Sequence, residues 1–144
     1  QIGADRAGLA EVAGRVLEPY ADARGNRIVL EGPPIELPMR MVTPIGMIIH
    51  ELATNAAKYG AFSSPAGTVR IAWQREEAGD GAGKVRLVWI ESGGPALEPE
   101  GDPQMRPGFG ATMLDLAARQ LEGSLERHWK GSGLRIELTF PLPA

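Results

Sequence analysis

Three observations predict an α/β two-layer sandwich, with a mixed, mostly antiparallel sheet covered on one face by three helices. Three segments repeat apolar residues at helical spacing, and five shorter ones alternate apolar with polar residues or run apolar between turn signals. Four of those strand segments form two pairs joined by short Gly-rich links, which obliges each pair to return antiparallel, although the register does not follow from the link. The order is helix, strand, helix, two strands, loop, helix, two strands. Such an order suits helices packed on one face of a sheet better than a doubly wound parallel fold.

The first helix is read from Asp5, with Leu9, Val12, Ala13, Val16, Leu17 and Tyr20 on one side, and Pro19 is expected to stop or kink it. Ala23-Arg24-Gly25-Asn26 reads as a turn. Ile28 and Leu30 alternate with Arg27 and Val29 as a short strand that Gly32-Pro33-Pro34 breaks. The long helix is expected to start at Pro44, behind Thr43 as cap, and to end near Tyr59 with Gly60 as its C-cap. Val69, Ile71 and Trp73 alternate in one strand. Val85, Leu87 and Trp89 alternate in its return, across the polar link from Glu76 to Gly83. Residues 92 to 108 carry no period. A helix follows from Gly108-Phe109-Gly110, with Met113, Leu114, Ala117 and Leu121 on one side, and Gly123 closes it. The final hairpin joins Ser124–Trp129 to the alternating Leu134, Ile136, Leu138 and Phe140 through Gly131-Ser132-Gly133.

A chain of 144 residues has room for one domain with a proper core, and residues 1–144 are read as one. The net charge of −3 argues against nucleic acid held by bulk electrostatics. No Cys occurs, which excludes disulfides and thiolate metal sites, and two His residues, His50 and His128, cannot build a transition-metal centre. No apolar run approaches a membrane span, so a soluble, cytoplasmic domain without direct membrane contact is expected. At least two of Trp73, Trp89 and Trp129 are expected in the core or on a sheet face, and His128 on the surface.

The long helix carries more polarity than packing requires. Ile45, Ile48, Ile49, Leu52, Ala56 and Tyr59 form a core stripe, while Glu51, Asn55 and Lys58 fall at i, i+4 and i+7 on another. A carboxamide oxygen can ligate Mg²⁺, an ammonium can neutralise phosphate oxygens, and a carboxylate can act as a base or orient a water. A solvated helix face linked by i,i+4 contacts would explain the same spacing equally well. Glycines flank the long loop, Gly93-Gly94 before it and Gly108 and Gly110 after it. Glycine allows close backbone approach to a polyphosphate, and a helix start beyond Phe109 favours anions, as would an ordinary turn before a helix. Glu91 ends a strand at the mouth of this loop, where it can accept a hydrogen bond from an exocyclic amine or simply face water.

Taken together, Leu52-x-x-Asn55-Ala56-x-Lys58-Tyr59, then Trp89-x-Glu91-x-Gly93-Gly94-Pro95, then Gly108-x-Gly110 resemble, in that order, the N, G1 and G2 boxes of the superfamily of gyrase, the large heat-shock chaperone ATPases, histidine kinases and MutL. His50 beside Glu51, with Trp89-Ile90-Glu91, resembles more narrowly the HWE histidine kinases of bacterial two-component systems. The resemblance extends from the first helix to Pro141. It implies a Bergerat-type ATP-binding fold that positions Mg·ATP for transfer of the γ-phosphoryl group to a histidine on a separate hairpin domain, and from there to a response regulator.

By that resemblance Asn55 holds Mg²⁺, Glu51 matches the acid that polarises a nucleophile, Lys58 contacts phosphate and Tyr59 lies near the adenine. Glu91 reads the adenine amino group, Gly93 and Gly94 let the base pocket close, and Gly108, Phe109 and Gly110 cradle phosphates. Residues 95–107 correspond to the ATP lid, with Arg106 directed at the γ-phosphate. His50 and Trp89 are expected to stand behind the contacting residues, His50 through a hydrogen bond rather than as phosphoacceptor, because the family's phosphorylated His belongs to the hairpin domain, which the resemblance does not find in this chain. Gly133 is followed by Leu134 where many members carry an adenine-binding Thr, leaving Thr139 as the nearby hydroxyl. The alternatives are a degenerate adaptor or phosphotransfer scaffold that no longer binds ATP, and a serine kinase or ATPase of the same superfamily.

Overall fold

The computed structural model describes residues 6–21, 27–77, 83–95, 111–130 and 133–143. Its central sheet has five strands in the order β2-β4-β5-β7-β6, namely β2 (Ile28–Glu31), β4 (Thr68–Glu77), β5 (Gly83–Ser92), β7 (Gly133–Leu142) and β6 (Ser124–Lys130). Only β2 runs parallel to its neighbour, β4; every other pairing is antiparallel. The helices are α1 (Leu9–Leu17), α2 (Met39–Tyr59) and α3 (Ala111–Gln120), and their buried residues join one core cluster with one face of the sheet. The expected mixed sheet under three helices is what forms.

The period-2 pattern has a direct consequence in the register. Ile71, Trp89 and Ile136 lie side by side across β4, β5 and β7, and so do Trp73, Leu87 and Leu138. All six are buried, whereas their strand neighbours Arg70, Gln74 and Arg135 are exposed on the other face. On that polar face Arg70 donates to Glu31 at 2.6 Å across the β2–β4 edge, which holds its guanidinium above the ordinary arginine pKa. Arg86 meets Glu76 and Glu137 there. The exposed Arg70–Glu31 pair contributes little to stability.

Two boundaries depart from expectation, the starts of α1 and α2. Arg6–Gly8 is a short strand, β1, paired antiparallel with β3 (Glu36–Pro38), so α1 begins at Leu9, where the Leu9 N–H donates to the Ile35 carbonyl at 2.9 Å. Helix α1 stops at Leu17, and Pro19 sits in the 3-10 turn Glu18–Tyr20 that follows. Helix α2 begins at Met39, with Pro38 as N-cap rather than Thr43, and contains Pro44 in its interior. Pro44 leaves the Arg40 carbonyl without its i+4 donor, but Met41 continues the apolar stripe of Ile45 into the core, and that burial carries the helix back past the proline. Gly123 closes α3 as expected, its N–H donating to the Ala118 carbonyl at 2.9 Å, with Glu122 before it in the left-handed region (φ 57°).

The paired rows of large side chains imply a steep cost for truncating one of them. Leu138→Ala is expected to lower unfolding free energy by about 2–5 kcal/mol in urea denaturation, and Val29→Ala on the exposed edge by less than about 0.5 kcal/mol.

Candidate nucleotide-binding site

The polar residues of α2 form a gradient from core to solvent. Asn55 is buried at 3 % exposure, Glu51 is half-buried and Lys58 is exposed in the last turn, where a cation suits the helix dipole. Asn55 Nδ2 donates to Glu51 Oε2 over a long 3.4 Å. The solvated-face explanation fails at Asn55, because a carboxamide is costly to bury without a use for its polar atoms. Its carboxamide oxygen is a hard donor of the type Mg²⁺ takes. Tyr59 is half-buried one turn below Asn55.

Glu91 does not face water. It lies on the core face of β5 at 5 % exposure, opposite Val69. Its Oε1 accepts from the Ala61 N–H at 3.0 Å and its Oε2 from the Trp89 indole N–H at 2.9 Å. Residues i and i+2 of a strand share a face, so Trp-x-Glu places the indole beside the carboxylate it serves. A carboxylate oxygen can accept more than one hydrogen bond.

The backbone closes tightly around this carboxylate. Gly60 is the C-cap of α2, as expected, with φ −120° and its N–H donating to the Ala56 carbonyl at 3.0 Å, so the cap needs no left-handed backbone. Its glycine is required by approach instead, since a Cβ at residue 60 would overlap Glu91 Oε1. Gly93 does adopt the left-handed region (φ +74°), and a Cβ there would lie 2.6 Å from the Ala66 carbonyl oxygen. At Gly94 a Cβ would lie 2.9 Å from Ala61 Cα. The two glycines after β5 therefore pack directly on the 3-10 turn Ala61–Ser63 and the turn behind it.

Other expected contributors lie elsewhere. His50 is exposed, in a groove lined also by Val12, Val16, Met47 and Met113. Among the described residues its imidazole makes no hydrogen bond, and its carbonyl accepts from Thr54 Oγ1 at 2.9 Å. His128 is an exposed side chain 3.7 Å from Glu126. Thr139 cannot replace the missing hydroxyl at Leu134. It pairs with Arg86, five residues from Glu91 along β5 and hence about 16 Å away. Leu134 is a buried core residue. The lid at 95–107 begins at Pro95, and the rest of it, Arg106 included, lies outside the described residues, as do Gly108, Phe109 and Gly110.

Sequence reading missed the backbone N–H of Ala61, which no side-chain pattern can reveal, and Arg27, whose partners are 34 to 40 residues distant.

Trp89→Phe removes the indole donor to Glu91 while keeping an aromatic ring in the core. A loss of about 1–3 kcal/mol in chemical denaturation is expected. In a double-mutant cycle, the same substitution should cost less in a Glu91→Gln background, where no buried charge is left short of a donor.

No family model matches the chain. Among curated proteins, it is 42% identical over 127 residues to blue-light-activated histidine kinase 1 of Erythrobacter litoralis, which covers 88% of this chain and 34% of that protein. It is 32% identical over 137 residues to the blue-light-activated histidine kinase of Brucella anthropi, covering 94% of this chain and 27% of that one. The chain thus spans about a third or less of the length of these relatives. Among solved structures, the histidine kinase domain of the Erythrobacter litoralis EL346 blue-light-activated kinase matches with a TM-score of 0.65 at 18% identity, over 93% of this chain and 59% of that one. The nucleotide-free catalytic domain of histidine kinase ThkA matches with a TM-score of 0.67 at 18% identity, over 96% and 97%. The chain is thus homologous to the blue-light-activated histidine kinases, has the fold of the histidine kinase catalytic domain, and belongs to the HWE family.

Proposed function

We propose that this chain binds Mg·ATP and positions its γ-phosphoryl group for transfer to a histidine on a phosphoacceptor domain, from which it passes to a response regulator. The observation that carries this reading is the pairing of two buried polar groups at one end of the fold: Asn55 on the last turns of α2, and Glu91 at the end of β5, clamped by Ala61 and Trp89. A packing core has no need of either group.

In this reading Glu91 accepts from the exocyclic amine of adenine, and Tyr59 lies beside the base. Gly93 and Gly94 keep the floor of the pocket free of side chains. Asn55 holds Mg²⁺ through its carboxamide oxygen; the ion, when bound, neutralises phosphate charge. Lys58 adds a cation for phosphate oxygens, and Glu51, held to Asn55, orients the carboxamide and is placed to polarise the attacking imidazole. Gly108, Phe109 and Gly110 are assigned the remaining phosphate contacts on sequence grounds, with His50 and Trp89 as supporting residues. Catalysis is then chiefly positioning and electrostatics, as phosphoryl transfer requires.

Calorimetric titration with a non-hydrolysable ATP analogue, with and without Mg²⁺, tests the reading. Binding that weakens at least about tenfold without the metal is expected, and Asn55→Ala should abolish that metal dependence while the circular dichroism spectrum stays native. A folded protein that binds no nucleotide in either condition would transfer the weight to an adaptor role.

A further inference from the structure

The half-buried side chain of Arg27, just ahead of β2, joins parts of the chain that the nucleotide reading leaves unconnected. Its Nε donates to the Gly67 carbonyl at 3.2 Å, and its Nη2 to the carbonyls of Ser64 at 2.6 Å and Ala61 at 3.2 Å. The guanidinium lies over the Phe62 ring, 5.3 Å from its centroid. Phe62 in turn stacks on Tyr20 of the turn after α1, with centroids 5.3 Å apart and planes 9° from parallel. The Arg27 carbonyl accepts from the Val69 N–H at 2.8 Å, where β4 begins.

These contacts answer a local need. The chain leaving α2 makes a 3-10 turn and then a second turn, in which the Ala61 carbonyl accepts from the Ser64 N–H over a long 3.4 Å and the Ser64 carbonyl from the Gly67 N–H at 3.1 Å, and each carbonyl has a second lone pair for Arg27. A cation is favoured at such an end, and the planar guanidinium fork reaches carbonyls in both turns, those of Ala61, Ser64 and Gly67, in a geometry that a compact ammonium does not offer. The aromatic pair fixes the plane of the fork from behind.

Ala61 is where this matters. Its carbonyl is held by Arg27, its N–H by Glu91, and its Cα is the surface on which Gly94 packs. We propose that Arg27 is a positioning residue for base recognition: it fixes Ala61 so that the Ala61 N–H holds the Glu91 carboxylate at the adenine edge. This rests on the adenine role given to Glu91. A carboxylate that must distinguish one exocyclic amine tolerates only a few tenths of an ångström of drift, so the loop behind it sets selectivity without touching the nucleotide.

Arg27→Met keeps the stem and removes the donors, and Arg27→Lys restores charge without the fork. Hydrogen exchange of the Ala61 amide, followed by NMR on the ligand-free chain, should accelerate at least about tenfold in Arg27→Met and by less in Arg27→Lys. The Ile71 and Trp89 amides in the β4–β5 ladder should be unchanged. In titrations, Arg27→Met should lose about tenfold in affinity for an ATP analogue and narrow its preference over the guanine analogue by a similar factor, with tripolyphosphate binding unaltered. Unchanged Ala61 exchange would overturn the proposal, and so would acceleration shared evenly by the ladder amides, which would mean a general stability role. A Glu91→Gln chain that keeps its adenine preference would overturn the adenine reading instead, which the exchange measurement, made without nucleotide, does not depend on.

Discussion

A carboxylate taken out of water must be met by donors, and around Glu91 that requirement organises one whole end of the molecule. One oxygen is met by a backbone N–H and the other by an indole two residues earlier on the same strand. The backbone donor forces the turn after α2 to run directly over the strand end, which in turn excludes side chains at Gly60, Gly93 and Gly94. Sequence features that look separate, a glycine ending a helix, a glycine pair opening a loop and a tryptophan in a strand, thus serve one buried charge. Removing a single partner is costly in such a cluster, because the group left behind cannot recover its hydration.

Helix α2 supplies the complementary half. Its apolar stripe, from Met41 through Ile45, Ile48, Ile49, Leu52 and Ala56, seats it on the sheet, and that seating determines how deep each polar residue sits. Asn55 falls at the margin of the stripe and is buried, Glu51 is half-buried beside it, and Lys58 reaches solvent. A ligand approaching this end meets a graded surface: an amide oxygen at depth and a mobile cation at the rim. The antiparallel path of β5 brings Glu91 to the C-terminal end of the same helix, so the two halves adjoin through topology alone.

Where sequence reading failed, tertiary packing had overruled a local rule. Pro44 marks a helix start by its missing donor, yet Met41 has core contacts that outweigh one lost backbone bond. Gly60 caps α2 as read, but the need for glycine there comes from Glu91 Oε1, which a Cβ would overlap, and not from a left-handed φ. Thr139 is close to Leu134 in sequence, but strand rise and alternation carry it to the far part of the sheet and to the opposite face. In each case the deciding contact came from a residue distant along the chain, which local propensity does not contain.

Period and spacing in the sequence alone determined the sandwich, its strands and hairpins, the core stripe of α2, and the polar set Glu51, Asn55, Lys58 and Glu91 from which the family resemblance follows. Those properties depend on neighbours three, four or two residues away, and are therefore legible locally. Only the tertiary structure decided that Glu91 is buried rather than solvated, that the Ala61 N–H donates to it, that Asn55 is deep while Lys58 is not, and that Arg27 holds the turn carrying Ala61. Those facts arise from contacts about 30 to 40 residues apart in the chain, or from the depth at which an element is seated, and neither exists until the sheet and helices close on each other.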